Sequence, residues 1–144
     1  MLILNELLTG IYNRSQVASD FKTEIGGRFY SGKAPQSPTY PYVVFHLIDN
    51  THNSTLAETN NSDGFQEVLC QFNIYSQSQS ASEAGTILGY LLTHYDNQTL
   101  TVSGYQNVDL DKNNRVIFGP FWNDDEEEWI YVVEYQLLMQ GADS

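Results

Sequence analysis

Gln66-Glu67-Val68-Leu69-Cys70-Gln71-Phe72-Asn73-Ile74-Tyr75 is the stretch on which the fold turns. Val68, Cys70, Phe72 and Ile74 fall on one side of an extended chain, and Glu67, Leu69, Gln71, Asn73 and Tyr75 on the other. That period of two is the mark of a half-buried β-strand. One face is built for a core; the other mixes Leu69 and Tyr75 with polar groups and calls for partial cover. Upstream, Tyr42 to Ile48 is a nearly unbroken apolar and aromatic run, suited to a central strand. The intervening segment, residues 49–64, is polar, Asn-rich and without period. It is expected as a mobile loop, or as the tip of a long hairpin joining two antiparallel strands.

Working outward, Leu2, Ile3, Leu7, Leu8, Ile11 and Tyr12 recur at three- and four-residue spacing and predict an amphipathic helix. Val17, Ala18 and Phe21 extend it or form a second short turn, ended by Gly26-Gly27. Arg28 to Tyr30 is a short strand, and Pro35, Pro38 and Pro41 then deny the chain helix or inner-strand hydrogen bonds. After Ile74, Ser80 or Ser82 is placed to cap a helix with Ala84, Ile87, Leu88, Leu91, Leu92 and Tyr95 as its apolar stripe. Gly85 and Gly89 weaken that helix and would admit a close neighbour. Leu100 to Leu110 reads as an irregular strand, and Arg115 to Phe118 as a short one stopped by Gly119-Pro120. Trp129 to Met139 is the closing strand, with Trp129, Tyr131, Val133, Tyr135 and Leu137 on one face. The simplest solution is a single α+β domain, a mainly antiparallel sheet with two helices packed on one face.

Composition narrows the function. The 144 residues carry six basic and eighteen acidic side chains, a formal net charge of -12. No Lys or Arg falls between Lys33 and Lys112 or after Arg115, so the surface repels phosphate backbones and argues against specific nucleic-acid binding. No run approaches the apolar length of a transmembrane helix, and the start lacks the basic region of a signal peptide. Cys70 is the one cysteine. It reads as a small buried hydrophobe with no neighbouring cation to activate it.

Reactive patterns are missing. The sequence holds no GxSxG elbow, phosphate loop, dinucleotide fingerprint or HExxH, and it implies no enzyme, cofactor or metal. His46 falls in a strand, His52 in the polar segment, and His94 near a helix C-terminus, where the dipole favours a positive ring. Asp109 to Asn114 superficially matches a calcium loop, but it lacks the central Gly and has Pro120 where a ligating Glu belongs. A turn is the better reading. The acidic run Asp124, Asp125, Glu126, Glu127 and Glu128 is read as a solvated face, or else as a patch turned to a partner or a channel. Ten Tyr, seven Phe and two Trp supply aromatic area without basic companions, which suits protein interfaces better than single-stranded nucleic acid.

Several blocks, in order, resemble the tail completion or tail terminator proteins of long-tailed bacteriophages and prophages. They are Gly27-Arg28-Phe29-Tyr30, Ala34-Pro35-Gln36, Tyr40-Pro41-Tyr42-Val43-Val44-Phe45, Phe72-Asn73-Ile74-Tyr75-Ser76, the helix from Ser82 to His94, and the strand from Trp129 to Met139. The resemblance implies a non-enzymatic virion protein, made in the bacterial host cytoplasm and assembled at the head-proximal end of the tail. It implies self-association into a hexameric ring that caps the tail tube and meets a head-tail connector protein. A closing ring needs two different, complementary patches on each subunit. Sheet edges at Tyr42 and Phe45, or at Trp129, Tyr131 and Tyr135, are the expected patches, together with the carboxylates at 124–128. An acidic channel lining that keeps passing DNA from sticking is a further expectation. The alternatives are a head-tail connector or stopper subunit, or a non-viral acidic protein-binding module; an enzyme ranks third.

Overall fold

A computed structural model describes residues 4–53, 65–102, 105–110, 113 and 115–141. Its elements run α1 (Leu4–Ser15), α2 (Asp20–Ile25), β1 (Phe29–Ser31), β2 (Tyr42–Asn53), β3 (Phe65–Ser76), α3 (Ser82–Tyr95), β4 (Gln98–Leu100), β5 (Tyr105–Leu110), β6 (Arg115–Asn123) and β7 (Glu128–Gly141). The strands form one sheet in the order β1-β2-β3-β7-β5-β4, and β6 also pairs with β7. Only β1 and β2 run parallel among the pairings. The expected α+β domain with a mainly antiparallel sheet is therefore observed.

The alternation in β3 explains the layering. Phe45, Phe72 and Val133 lie abreast across β2, β3 and β7, as do Val43, Ile74 and Tyr131. Leu7 and Ile11 from α1, Phe21 and Ile25 from α2, and Ile87, Leu91 and Tyr95 from α3 close over this face as one buried cluster. Tyr95 sits among Phe21, Phe29 and Phe72, with ring centroids 6.1, 6.4 and 4.9 Å away. Its hydroxyl donates to the Ile11 carbonyl at 2.9 Å. The opposite face has lighter cover, supplied in part by tyrosine. Tyr42 stacks on Tyr75 at 4.9 Å, and Tyr40 packs against Tyr42 at 5.0 Å.

Several expectations need correction. Three helices, not two, occupy the core face, because Ser19 caps a separate α2 by accepting from the Lys22 N–H, and Gly26 ends it in the left-handed region. The capping residue of α3 is Ala81, without a side-chain cap; Ser80 Oγ instead accepts from the Ser82 N–H. β2 continues through Asn53, paired with Phe65, so the hairpin reading holds for 49–53. Residues 54–64 lie outside the described set, as do Leu2, Ile3 and, in the calcium-like segment, Asp111, Lys112 and Asn114.

His94 is buried and holds a structural place. Its Nε2 donates to the Arg14 carbonyl at 2.6 Å, while the Arg14 guanidinium donates to the His94 carbonyl at 3.0 and 3.2 Å. This reciprocal clamp ties the ends of α1 and α3. Desolvation lowers the ring's pKa, and the Arg14 charge adds to it, against the backbone hydrogen bond. Burial thus overrides the helix dipole, which would have raised it.

Candidate functional site: an apolar edge strand beside an acidic turn

Arg115 to Asn123 was expected to stop at Gly119-Pro120, but the strand runs on. The register with β7 shifts between Phe118 and Phe121, so Gly119 and Pro120 form a bulge and pairing resumes at Phe121–Ile130 and Trp122–Trp129. A proline is tolerated because β6 lies at the sheet margin, where a missing N–H breaks no ladder on the outer side. Gly119 adopts φ 118°, and a Cβ built there would meet the Ile130 carbonyl at 2.8 Å. Only glycine fits that bend.

β6 is anchored at its base. Arg115 pairs with Asp96, which also accepts from the Tyr135 hydroxyl at 2.5 Å. Asp96 follows α3 directly, so one carboxylate joins the helix end to both strands of the hairpin. Burial and the bond to Asp96 push the Tyr135 phenol far above its usual range. Beyond Arg115 the strand is uncovered. Val116 is 53% exposed, Phe121 50% and Trp122 46%, and Ile117 and Phe118 are exposed as well. Successive side chains point to opposite faces, so both faces of β6 present partly exposed apolar side chains. Its outer edge also has no strand partner among the described residues.

The turn that follows carries the acidic run, which divides. Asp124, Asp125, Glu126 and Glu127 are exposed. Trp122 Nε1 donates to Asp124 Oδ1 at 2.5 Å, and the Asp125 N–H donates to Asn123 Oδ1 at 3.2 Å. Gln77 Nε2 holds the Glu126 carbonyl at 3.2 Å. Glu128 leaves the group: it is 4% exposed and accepts from the Tyr40 hydroxyl at 2.7 Å and from Asn123 Nδ2 at 3.3 Å. Its alternation with Glu127 turns it inward, so it is a structural carboxylate and not part of an outward patch.

The other expected patch residues are placed as follows. Phe45 and Tyr135 are fully buried, and Tyr42 nearly so. Trp129 and Tyr131 are half-buried against the core, with Trp129 5.1 Å from the Trp122 ring. Neither β2 nor β7 is a sheet edge, because β1 flanks the first and β5 and β6 flank the second. The exposed strand is β6, and the expected set omitted Val116, Ile117, Phe118, Phe121 and Trp122. The signal that marks them was present: a run of apolar residues that does not alternate with polar ones, in a short strand outside any helix pattern.

Chemistry does not converge anywhere in the described residues. They hold no cluster of His, Cys, Asp and Glu placed for a metal ion. His46 alternates with Phe45 and so lies on the sheet face opposite the helices, whereas His94 lies among them. Burial pushes the Cys70 thiol well above its usual range. Two open grooves, about 270 and 350 Å³, border α1; among the described residues Arg14 is the one charged side chain lining either of them. No described helix is long and apolar enough to cross a membrane.

The strand and its turn belong to a domain of α+β fold, and that fold recurs in solved structures. One chain in the virion of a native gene transfer agent superposes with a TM-score of 0.69 at 10% identity, over 96% of this chain and 98% of that one. A second solved structure, 12% identical, superposes with a TM-score of 0.62 over 100% of this chain and 99% of its own. At such identities the likeness is one of fold. No family model matches the chain, and no curated protein matches it.

Proposed function

We propose that this chain is a non-catalytic structural subunit of a phage-like particle, a tail terminator or completion protein that forms a ring on the tail tube and joins it to the head connector. The observation that carries the reading is β6: a strand with five exposed apolar side chains and an outer edge without a strand partner among the described residues. A free monomer gains nothing from such a strand, whereas a subunit that docks its neighbours needs one. The shared fold with a virion chain supports a particle as the setting, and the net charge of -12 suits a protein that lets DNA pass without holding it. A fold alone does not assign a role, so the surface bears the argument.

The test is to add purified protein to polymerising tail-tube subunits and image the products. Tubes of arrested length with a six-fold ring at one end are the expected outcome. Growing tubes together with binding to filled heads would move the assignment to a connector or stopper. Loss of both effects would remove the particle role altogether.

A further inference from the structure

Four of the six basic residues of this acidic chain fall in its first 33 positions, against the three acids Glu6, Asp20 and Glu24, whereas the remainder sets two basic residues against fifteen acidic ones. Arg14 belongs to α1 and Lys22 to α2, Arg28 directly precedes β1, and Lys33 follows it. Two of them serve inside the subunit: Arg14 holds the His94 carbonyl, and Arg28 donates to the Pro41 and Tyr40 carbonyls at 2.9 and 3.4 Å. Lys33 is exposed and Lys22 half-exposed. Beside them α1 and β1 frame the open groove of about 350 Å³, lined by Leu8, Thr9, Tyr12 and Ser31. Tyr12 is itself 42% exposed. β1 and β6 lie at opposite margins of the same sheet.

We infer that β6 and the 124–127 turn of one subunit dock into the α1–β1 corner of a second copy of this chain, head to tail. The inference rests on the ring reading above and names the two faces such a ring requires. Charge complementarity selects the occupant. A turn of carboxylates is repelled by most of a molecule of net charge -12, and the part built from residues 1–33, where basic residues outnumber acidic ones by one, is where that repulsion is lifted. Apolar complementarity agrees, since β6 offers Val116, Phe118 and Phe121 to a groove floored by Leu8 and Tyr12. Because the two faces lie at opposite edges, the contact is heterologous: it leaves each copy with one face to offer and closes only as a ring. Pairing of β6 with β6 would stop at a dimer. This use sets the exposed carboxylates at the subunit contact and not along a channel.

The experiment uses two full-length variants. Phe118→Asp with Phe121→Asp spoils the strand, and Tyr12→Asp with Lys33→Glu spoils the corner; all four side chains are exposed, and circular dichroism checks that each variant folds. By sedimentation, each variant alone should associate on the order of tenfold more weakly than the unaltered chain, or worse, as loss of apolar anchors does. Mixed, they should form a one-to-one heterodimer and nothing larger, since one intact strand then meets one intact corner. Assembly of the unaltered chain that survives in either variant overturns the surfaces while leaving the ring reading in place, and so does a mixture without heterodimer. If the unaltered chain stays monomeric, the same variants are scored for arrest of tube growth: arrest by both overturns the surfaces alone, and no arrest by the unaltered chain overturns both readings.

Discussion

Asp96 and His94 show how much of this fold is held by single polar side chains at the end of α3. Asp96 receives Tyr135 and Arg115 together, joining the helix end to the hairpin that carries the exposed strand. Tyr135→Phe keeps the ring packing and deletes the donor, and it should cost about 1.5 to 3 kcal/mol, the usual net value of a hydrogen bond to a charged group. Urea unfolding with an unchanged m-value is the measurement; no shift in midpoint would show that the bond contributes nothing. His94 adds a pH dependence. Its folded pKa lies below the 6.5 of the free ring, so the unfolded chain binds the proton more readily. Its stability contribution is complete above 6.5 and is lost as pH falls from there through the depressed folded value. Urea midpoints should therefore drop between pH 7 and 5, and His94→Gln should flatten that slope.

Individual elements were legible in the sequence to the extent that their residues alternate. β3 and the core face of β7 follow from period two, and α1 and α3 from their apolar stripes. β6 was cut short because Gly119-Pro120 looks like a terminator when neighbours are not known; a bulge at a sheet margin absorbs both residues. The interface candidates divide between buried and exposed for a related reason. Aromatic content marks both cores and contacts, and only the tertiary arrangement shows that Phe45 and Tyr135 are inside while Phe121 and Trp122 are outside. Two glycines separate bend from spacer. Gly119→Ala should destabilise by about 1 to 3 kcal/mol, the cost of strain at a positive-φ position. Gly89 has nothing within 4 Å of a Cβ built on it among the described residues. Gly89→Ala should stabilise α3 by up to about 1 kcal/mol. Thermal melts of the two variants should move in opposite directions.

Taken whole, the molecule is unevenly charged, with exposed carboxylates beyond β6 and four of its six basic residues in the first 33 positions. Its net charge of -12 opposes any assembly over long distances, while the facing charges at a head-to-tail contact attract at short range. Salt separates the two, because the Debye length falls from roughly 30 Å at 0.01 M to about 8 Å at 0.15 M. Self-association should thus peak at intermediate ionic strength, strengthening as repulsion is screened and weakening when the contact pairs are screened too. A monotonic fall from the lowest salt, read by sedimentation or light scattering, would count against this charge arrangement.

The same bare strand is a hazard before its mate arrives. Unpaired edges with apolar side chains recruit any extended segment, and a newly made chain meets many of them before it meets an orderly partner. The carboxylates at Asp124, Asp125, Glu126 and Glu127, together with the missing N–H of Pro120, act as gatekeepers that make indiscriminate stacking unfavourable. Neutralising those acids as Asn and Gln should send the protein into precipitate during expression, at unchanged unfolding midpoint, which makes solubility yield the readout of what the turn guards against.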